Sequence, residues 1–401
     1  MLSSRNPLFR IESNPLLRLL LKETFYKQFC AGATSPEIAS SCASLHKQGY
    51  SGVILEYAAE ILEQNPSASS CAASSPAEQA QREAADIAAW RAGMLSSVAM
   101  AAPGDFVGLK WSGMGSAAMR RMQEERPPTA AMEEAMHAVC RAAREKSIAL
   151  LPAAEENWNL KGYHSWTLGL QRVFNADRTA RCVVFNTYQA YLRSARTTLA
   201  EHMALASREN FTLGVKLVRG AYLGSEQERG VIWPSIEATH HSYDQILTAL
   251  VERKFNEFLQ PVEGNGNETS SSSLPAINVV LATHNAASVA LAQRLRKAQR
   301  EKGEELTTLA FAQLQGMADE VSCGLLAAGR TSEVATSKTG SAGGVNERVL
   351  KLTVWGTMTE CLNYLLRRAA ENKDAASRTS DTRKAMGREI RRRVRGVFSF
   401  A

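Results

Sequence analysis

Thr212-Leu-Gly-Val-Lys-Leu-Val-Arg219 is a short apolar run that ends on a cation, set between helix-patterned segments at 188–208 and 234–258. An apolar run of this length, bounded by turn residues, reads as a strand buried on both faces. The same alternation continues outward. Towards the C-terminus come a strand over Ala276-Ile-Asn-Val-Val-Leu-Ala282, a helix over 286–301, a strand over Thr308-Leu-Ala-Phe-Ala-Gln313, a helix over 317–327 and a strand over Arg348-Val-Leu-Lys-Leu-Thr-Val354. Towards the N-terminus lie strands at 182–186, 147–152, 105–111 and 50–57, separated by helices at 160–174, 129–146 and 79–101. Eight strands alternating with helices predict an α/β fold, a (β/α)8 TIM-like barrel. A doubly wound open sheet is the other arrangement with this alternation. No Gly-x-Gly-x-x-Gly follows the first strand, so that fold would lack its phosphate turn.

Around the barrel, expected over 49–372, the pattern predicts a helical N-terminal arm over 1–48, with helices at 15–30 and 36–47. Ser-, Ala- and Gly-rich stretches near 64–78, 263–273 and 330–345 read as loose insertions, and 373–401 as a basic C-terminal tail. The composition, 45% apolar and 22% charged, is that of a chain with a large core. Seven cysteines without a Cys-x-x-Cys argue against a disulfide framework or a zinc site. From Arg367 onward eleven Lys/Arg face four acids, an excess equal to the whole net charge of +7. The body is therefore neutral, which disfavours a nucleic-acid partner. The tail reads either as a solvated segment or as one that touches an anionic surface. Near the start, Arg5 and Arg10 precede the first acid, Glu12, a mild likeness to an organelle presequence.

Chemistry in a barrel gathers where strands end. Those ends carry Glu56, Lys110, Glu155, Asn186 with Gln189, Lys216 with Arg219, Thr283-His284-Asn285 and Gln313. Several cations at one barrel mouth are costly unless an anion is bound there. Each also has a plainer reading: a lysine paired with a nearby glutamate, or a histidine satisfied in the core. Beyond the last strand comes Tyr364-Leu-Leu-Arg-Arg-Ala-Ala-Glu-Asn372. Tyr364 and Arg368 share a helix face, and two guanidiniums beside a ring suit a small carboxylate with an apolar body. Alone, the stretch reads equally as a surface turn in which Glu371 pairs with Arg367. No second His or Asp stands at metal spacing, so no metal is expected. The pattern is one of positioning and charge, as where a cofactor carries the chemistry.

Five segments resemble the proline dehydrogenase family, and in its order: Asn186-Thr-Tyr-Gln-Ala-Tyr191, Gly214-Val-Lys-Leu-Val-Arg-Gly-Ala-Tyr222, Ala282-Thr-His-Asn285, Gln313-Leu-Gln-Gly-Met317 and Tyr364–Asn372. The form of the second resembles the eukaryotic branch. The resemblance implies a distorted barrel that oxidises L-proline to Δ1-pyrroline-5-carboxylate with FAD and passes electrons to a quinone. It implies a mitochondrial location with peripheral contact to the inner membrane. Arg367, Arg368 and Lys110 would hold the substrate carboxylate; Tyr222, Leu314 and Tyr364 would shape the pocket. Lys216 would be the catalytic cation near the flavin. Gln189, Lys216, Val218, Arg219, Gly220, Thr283, His284 and Asn285 would hold FAD. Two positions depart from the family. Ala153 replaces the aspartate of an Asp-Ala-Glu motif, which leaves Lys110 without its usual partner. Leu352 replaces a pocket tyrosine. These departures admit a dehydrogenase of another cyclic amino acid, such as a hydroxyproline, or a barrel that binds flavin or carboxylate without turnover.

Overall fold

In a computed structural model of the chain, the structure describes residues 14–58, 75–178, 181–224, 226, 228–262, 274–339, 347–371, 387, 388 and 391; of the side chains of 331–339, 367 and 369–371 nothing is described. Eight parallel strands form a nearly closed barrel: β2 (Gly52–Tyr57), β3 (Phe106–Leu109), β4 (Ala149–Pro152), β5 (Asn186–Gln189), β6 (Leu213–Val218), β7 (Ile277–Ala282), β8 (Thr308–Leu314) and β9 (Arg348–Trp355). The preceding β1 (Cys30–Gly32) pairs with the end of β9, with Cys30 opposite Val354. The hydrogen-bonded order is β4-β3-β2-β9-β8-β7-β6-β5.

The seam between β4 and β5 is closed by a single bridge, Leu150 to Val184. Here the chain departs from the expected strand at 182–186. Asn175 occupies the backbone of that stretch: its amide oxygen accepts from Val183 N (2.9 Å) and Val184 N (3.1 Å), and its nitrogen donates to the Val184 carbonyl (2.7 Å) and the Thr212 carbonyl (3.1 Å). With those groups taken, the ladder to β6 begins only at Asn186. The following helix, expected from 188, begins at Ala195.

The helices are α1 (Pro15–Leu21), α2 (Lys27–Phe29), α3 (Ser35–Gln48), α4 (Pro76–Met100), α5 (Ser116–Gln123), α6 (Ala130–Glu145), α7 (Leu160–Phe174), α8 (Ala195–Glu209), α9 (Ile236–Glu252), α10 (Ala286–Lys302), α11 (Asp319–Thr339) and α12 (Met358–Glu371). Their ends follow local chemistry. Ser75 and Glu78 form a capping box with Pro76 as the first residue of α4, and Asn285 caps α10 through Ser288 N (3.1 Å). Residues 15–30, expected as one helix, are helical from Pro15 to Phe29 with a π-turn over Lys22–Tyr26, and Cys30 begins β1. That wide turn buries the Tyr26 ring, whose hydroxyl donates to the Gly356 carbonyl at 2.8 Å. Helix α11 runs on to Thr339, into the stretch expected as a loop from 330. Residues 340–346, most of the 64–78 stretch, all of 263–273, and the basic tail apart from 387, 388 and 391 lie outside the described residues.

Alternation along each strand sorts side chains between two cores. Ile54, Phe106, Leu151, Phe185, Val280, Ala310, Ala312 and Leu350 fill the barrel, with Phe106 and Phe185 meeting edge-on at 6.0 Å. Their neighbours Val53, Leu55, Val215, Leu217, Val279, Leu281, Leu309, Phe311 and Val349 face the helices. The barrel is thus plugged by hydrocarbon, and the polar inward residues come where the strands end.

Outside the barrel, His164 is buried and His202 half-buried beside Tyr188: the Tyr188 hydroxyl is 2.8 Å from His202 Nδ1, and His164 Nδ1 is 3.0 Å from Asn186 Oδ1. Burial pushes His164 down to about 4 and His202 down to about 3. Above the ordinary histidine range both states of the chain hold these rings neutral, so their burial costs nothing there. As pH falls below about 6.5 the unfolded chain binds protons that the folded chain refuses, and stability drops. The urea midpoint should therefore fall between pH 6.5 and 4. The fall should be smaller in the His202→Gln variant; an equal fall in both proteins would contradict this.

Candidate functional site

The inward residues at the strand ends converge on the C-terminal mouth. On β2, Ile54 faces the barrel interior, so Glu56 does too. Opposite it stands Gly108: a Cβ there would come within 3.1 Å of the Glu56 Cβ and 3.2 Å of its carboxylate. The glycine makes room for the acid. On β6 the residue after the inward Gly214 in the same row is Lys216, buried at 9% exposure. Burial pulls its ammonium below the ordinary lysine range; Glu56 opposes that, while Arg368 and Lys110 reinforce it.

Lys110, just past β3, is half-buried, and its Nζ lies 3.2 Å from the Tyr222 hydroxyl. Burial disfavours its charge, but Tyr222, Glu155 and Glu56 together hold its pKa above the ordinary value. The Tyr222 hydroxyl also donates to the Ala154 carbonyl (2.8 Å), which fixes the ring across the mouth. Glu155 is buried and accepts from Ser112 N (3.3 Å) and Ser112 Oγ (2.8 Å); burial raises its pKa, with Lys110 and Ser112 opposing. Lys110 is therefore not left without a counter-charge by Ala153. Glu155 supplies one from the same loop, two positions on, and Glu56 another from the neighbouring strand β2.

Arg368 arrives from outside the sheet. Helix α12 packs Tyr364 into a cluster with Tyr26, Cys30, Ala58, Val354 and Cys361. Tyr364 so anchored, Arg368 lies over its ring at 5.6 Å, one turn on. Its charge is felt at both Lys216 and Tyr222, which turns it towards the mouth. The backbone of Arg367 belongs to α12, but its side chain lies outside the described set, as does that of Glu371. Leu314 and Leu352 pair across β8 and β9, where Gln315 N donates to the Leu352 carbonyl at 2.8 Å, and Leu352 packs against the Tyr364 cluster.

A second group of residues lines the mouth beyond β6 and β7. The Arg219 guanidinium donates to His240 Nδ1 (3.0 Å), Thr283 Oγ1 (2.6 Å) and Ser288 Oγ (2.8 Å), and lies 4.2 Å from the Tyr243 ring centre. This locks a cation at the N-terminus of α10, where backbone N–H groups and the helix dipole favour an anion. Asn285 caps that helix, and Val218 and Gly220 flank Arg219. Gly220 sits at φ 154 with the Tyr191 ring packed where a Cβ would be, so only glycine fits there. His284 Nε2 accepts from Leu314 N at 3.1 Å, which makes that ring nitrogen the unprotonated one. Gln189 bridges two backbones, accepting from Ala221 N (3.1 Å) and donating to the Glu155 carbonyl (3.0 Å).

The structure thus brings together Lys110, Lys216, Tyr222, Leu314, Tyr364 and Arg368 as one group, and Arg219, Thr283, His284 and Asn285 as its neighbour. Sequence reading overlooked His240, Tyr243 and Ser288, which immobilise Arg219 from α9 and α10. No spacing signals them, because they meet only when two helices pack against β6. Three cations against two carboxylates leave the mouth positive, a half-closed setting that suits a carboxylate and a further anion. Among the described residues no three His, Cys, Asp or Glu come together as a metal site, and no helix is long and apolar enough to cross a membrane.

The family model described as "Proline dehydrogenase" matches residues 38–381. Similar curated proteins include proline dehydrogenase 1, mitochondrial, of Arabidopsis thaliana, 33% identical over 68% of this chain and 50% of that one. The human protein of that name is 30% identical over 69% of this chain and 41% of its own; that of Dictyostelium discoideum is 26% identical over 94% and 66%. The chain spans about half the length of the first of these relatives. Among solved structures, proline utilization A from Bdellovibrio bacteriovorus matches with a TM-score of 0.61 at 16% identity, over 89% of this chain and 34% of that one. The Bradyrhizobium japonicum protein matches with a TM-score of 0.56 at 18% identity, over 90% and 32%. At such identities the likeness is one of fold.

Proposed function

The chain belongs to the proline dehydrogenase family, and from that premise we propose that it oxidises L-proline to Δ1-pyrroline-5-carboxylate with FAD as its cofactor. The observation that carries the reading is the convergence of Lys110, Lys216 and Arg368 on one mouth, walled by Tyr222, Leu314 and Leu352. Arg367, Arg368 and Lys110 hold the substrate carboxylate, and Tyr222, Leu314 and Tyr364 bound its apolar ring. FAD fits the second group: Arg219 at the head of α10, with Thr283 and Asn285 beside it and Gly220 next in the chain, suits a diphosphate. Gln189, Val218 and His284 complete that cradle, with Lys216 between it and the substrate.

When bound, FAD supplies the acceptor for the hydride that leaves the carbon beside the amine. The protein's part is positional and electrostatic. The arginines and Lys110 orient the ring so that the reacting carbon stays in near-attack geometry. Lys216, desolvated and cationic, stabilises negative charge that develops beside it. Leu352 gives the pocket an aliphatic wall in place of the family's tyrosine. The names of the relatives support a mitochondrial site of action. In this reading electrons pass on to a quinone, which calls for peripheral contact with the inner membrane.

The amine must be neutral to release hydride. The rate at which L-proline bleaches the yellow protein, without added acceptor, should therefore rise steadily from about pH 6 to 9. Bleaching by a hydroxyproline alone, or none by any imino acid, overturns the substrate assignment. A rate that is flat across that range overturns the proton requirement.

A further inference from the structure

Lys351 is buried, yet it plays no part in the site described above. On β9 it alternates with the inward Leu350 and Leu352, so it points out of the barrel towards α11. Its ammonium has three protons and uses all three: to the Met317 carbonyl (3.0 Å), Asp319 Oδ1 (2.8 Å) and Ser322 Oγ (3.0 Å). The Lys351 side chain is 3% exposed and that of Asp319 56%.

The placement is unfavourable for stability. Asp319 and Ser322 belong to the first turn of α11, where the helix dipole repels a cation. Burying an ammonium costs free energy that a half-exposed carboxylate recovers only in part. What the lysine supplies instead is direction. It can only donate, so the Ser322 hydroxyl, as its acceptor, must send its own proton elsewhere. That proton has two acceptors in reach, Gln313 Oε1 (3.1 Å) and the Ala318 carbonyl (3.3 Å); the nearer, Gln313, stands opposite Lys351 in the β8–β9 register. With its oxygen so engaged, the Gln313 amide turns its nitrogen to the Thr283 carbonyl (3.3 Å). Thr283 in turn receives Arg219 on its hydroxyl. The same ammonium holds the carbonyl of Met317, which closes the turn from Leu314; that turn includes Gly316 at φ 73 and leads into Ala318 at φ 50.

We propose that Lys351 is a positioning residue: by polarising the Ser322–Gln313–Thr283 chain and pinning the Leu314–Met317 turn, it sets the pocket wall in register with the Arg219 cradle. Its consequence for turnover rests on the dehydrogenase reading above; its consequence for geometry does not. The comparison is between the native protein and K351M, which keeps the stem and loses the donors, with D319N as the control for charge alone.

Hydrogen exchange of peptides covering 313–322 reads the geometry. K351M should lose protection there and nowhere else in the barrel. The KM for L-proline should rise roughly tenfold with kcat within about twofold, since a wall displaced by a fraction of an ångström misplaces the substrate. D319N should stay within about twofold of native in both. If K351M lowers only the melting temperature, with exchange at 313–322 and KM unchanged, the lysine is structural and the proposal fails. If K351M does not fold, K351L, which also fills the apolar space and loses all three donors, carries the same comparison. If the native protein turns over no L-proline but K351M still loses protection at 313–322, the dehydrogenase reading fails and the positioning role stands.

Discussion

Arg368→Met should raise the L-proline concentration needed for half-maximal rate by about a hundredfold or more, with the flavin retained. Methionine keeps an aliphatic stem of similar length and removes the guanidinium, with its contact over the Tyr364 ring. Losing one partner of a desolvated, hydrogen-bonded charge pair costs about 2–5 kcal/mol, roughly 30- to 5000-fold in affinity. A separate effect follows at Lys216. Arg368 helps to hold the Lys216 ammonium below its ordinary pKa. In the variant that pKa should rise, so any loss of rate caused by Lys216 deprotonation at alkaline pH should move to higher pH. Steady-state kinetics across pH, with the visible spectrum as a check on cofactor content, decide both. A KM within about threefold of native would remove Arg368 from the clamp.

Gly214→Ala should cost about 3 kcal/mol or more of stability, enough to lower the melting temperature by several degrees. The glycine lies on the inward row of β6, where the barrel is narrowest around Phe185. A Cβ at this position would come within 2.4 Å of the Val184 carbonyl oxygen and 2.9 Å of the Phe185 Cα, both backbone atoms that cannot rotate away. The same residue is held on both sides by Gln171, whose amide donates to the Gly214 carbonyl and accepts from its N–H, each at 3.1 Å. The strand therefore cannot shift without losing buried hydrogen bonds, and the strain falls on the β4–β5 seam, which a single bridge closes. Thermal unfolding followed by far-UV circular dichroism measures the loss. A variant that melts within about a degree of native would mean that the seam yields freely.

The barrel was legible because buried parallel strands are continuous apolar runs, and the helices between them keep a period of their own. The seam was not. At 182–185 the residues are as apolar as in any strand, but a side chain some residues earlier, Asn175, takes the backbone groups that a ladder would use. Apolar pattern reports burial, not pairing. The arm's helix was legible too, running from Pro15 to Phe29; its π segment and the strand that follows were not, because Tyr26 reaching Gly356 and Cys30 reaching the edge of β9 are contacts far apart in sequence.

In the candidate site, residue types and strand ends marked Lys110, Lys216, Arg219, Thr283–Asn285 and the α12 arginines from sequence. Charge at a strand end is local information. What answers that charge is not. Ala153 looked like a lost counter-ion until the chain fold put Glu155 beside Ser112, and Glu56 against the bare face of Gly108. Likewise nothing near Arg219 in the chain announces His240, Tyr243 or Ser288. The sequence by itself determined the barrel, the end of it where chemistry gathers, and the cations gathered there, because period and composition are properties of neighbouring residues. Only the tertiary structure decided which acids balance those cations, which way each guanidinium turns and how the barrel closes. Those depend on electrostatic and hydrogen-bond partners tens to hundreds of residues apart, and distance in space is not written in order along the chain.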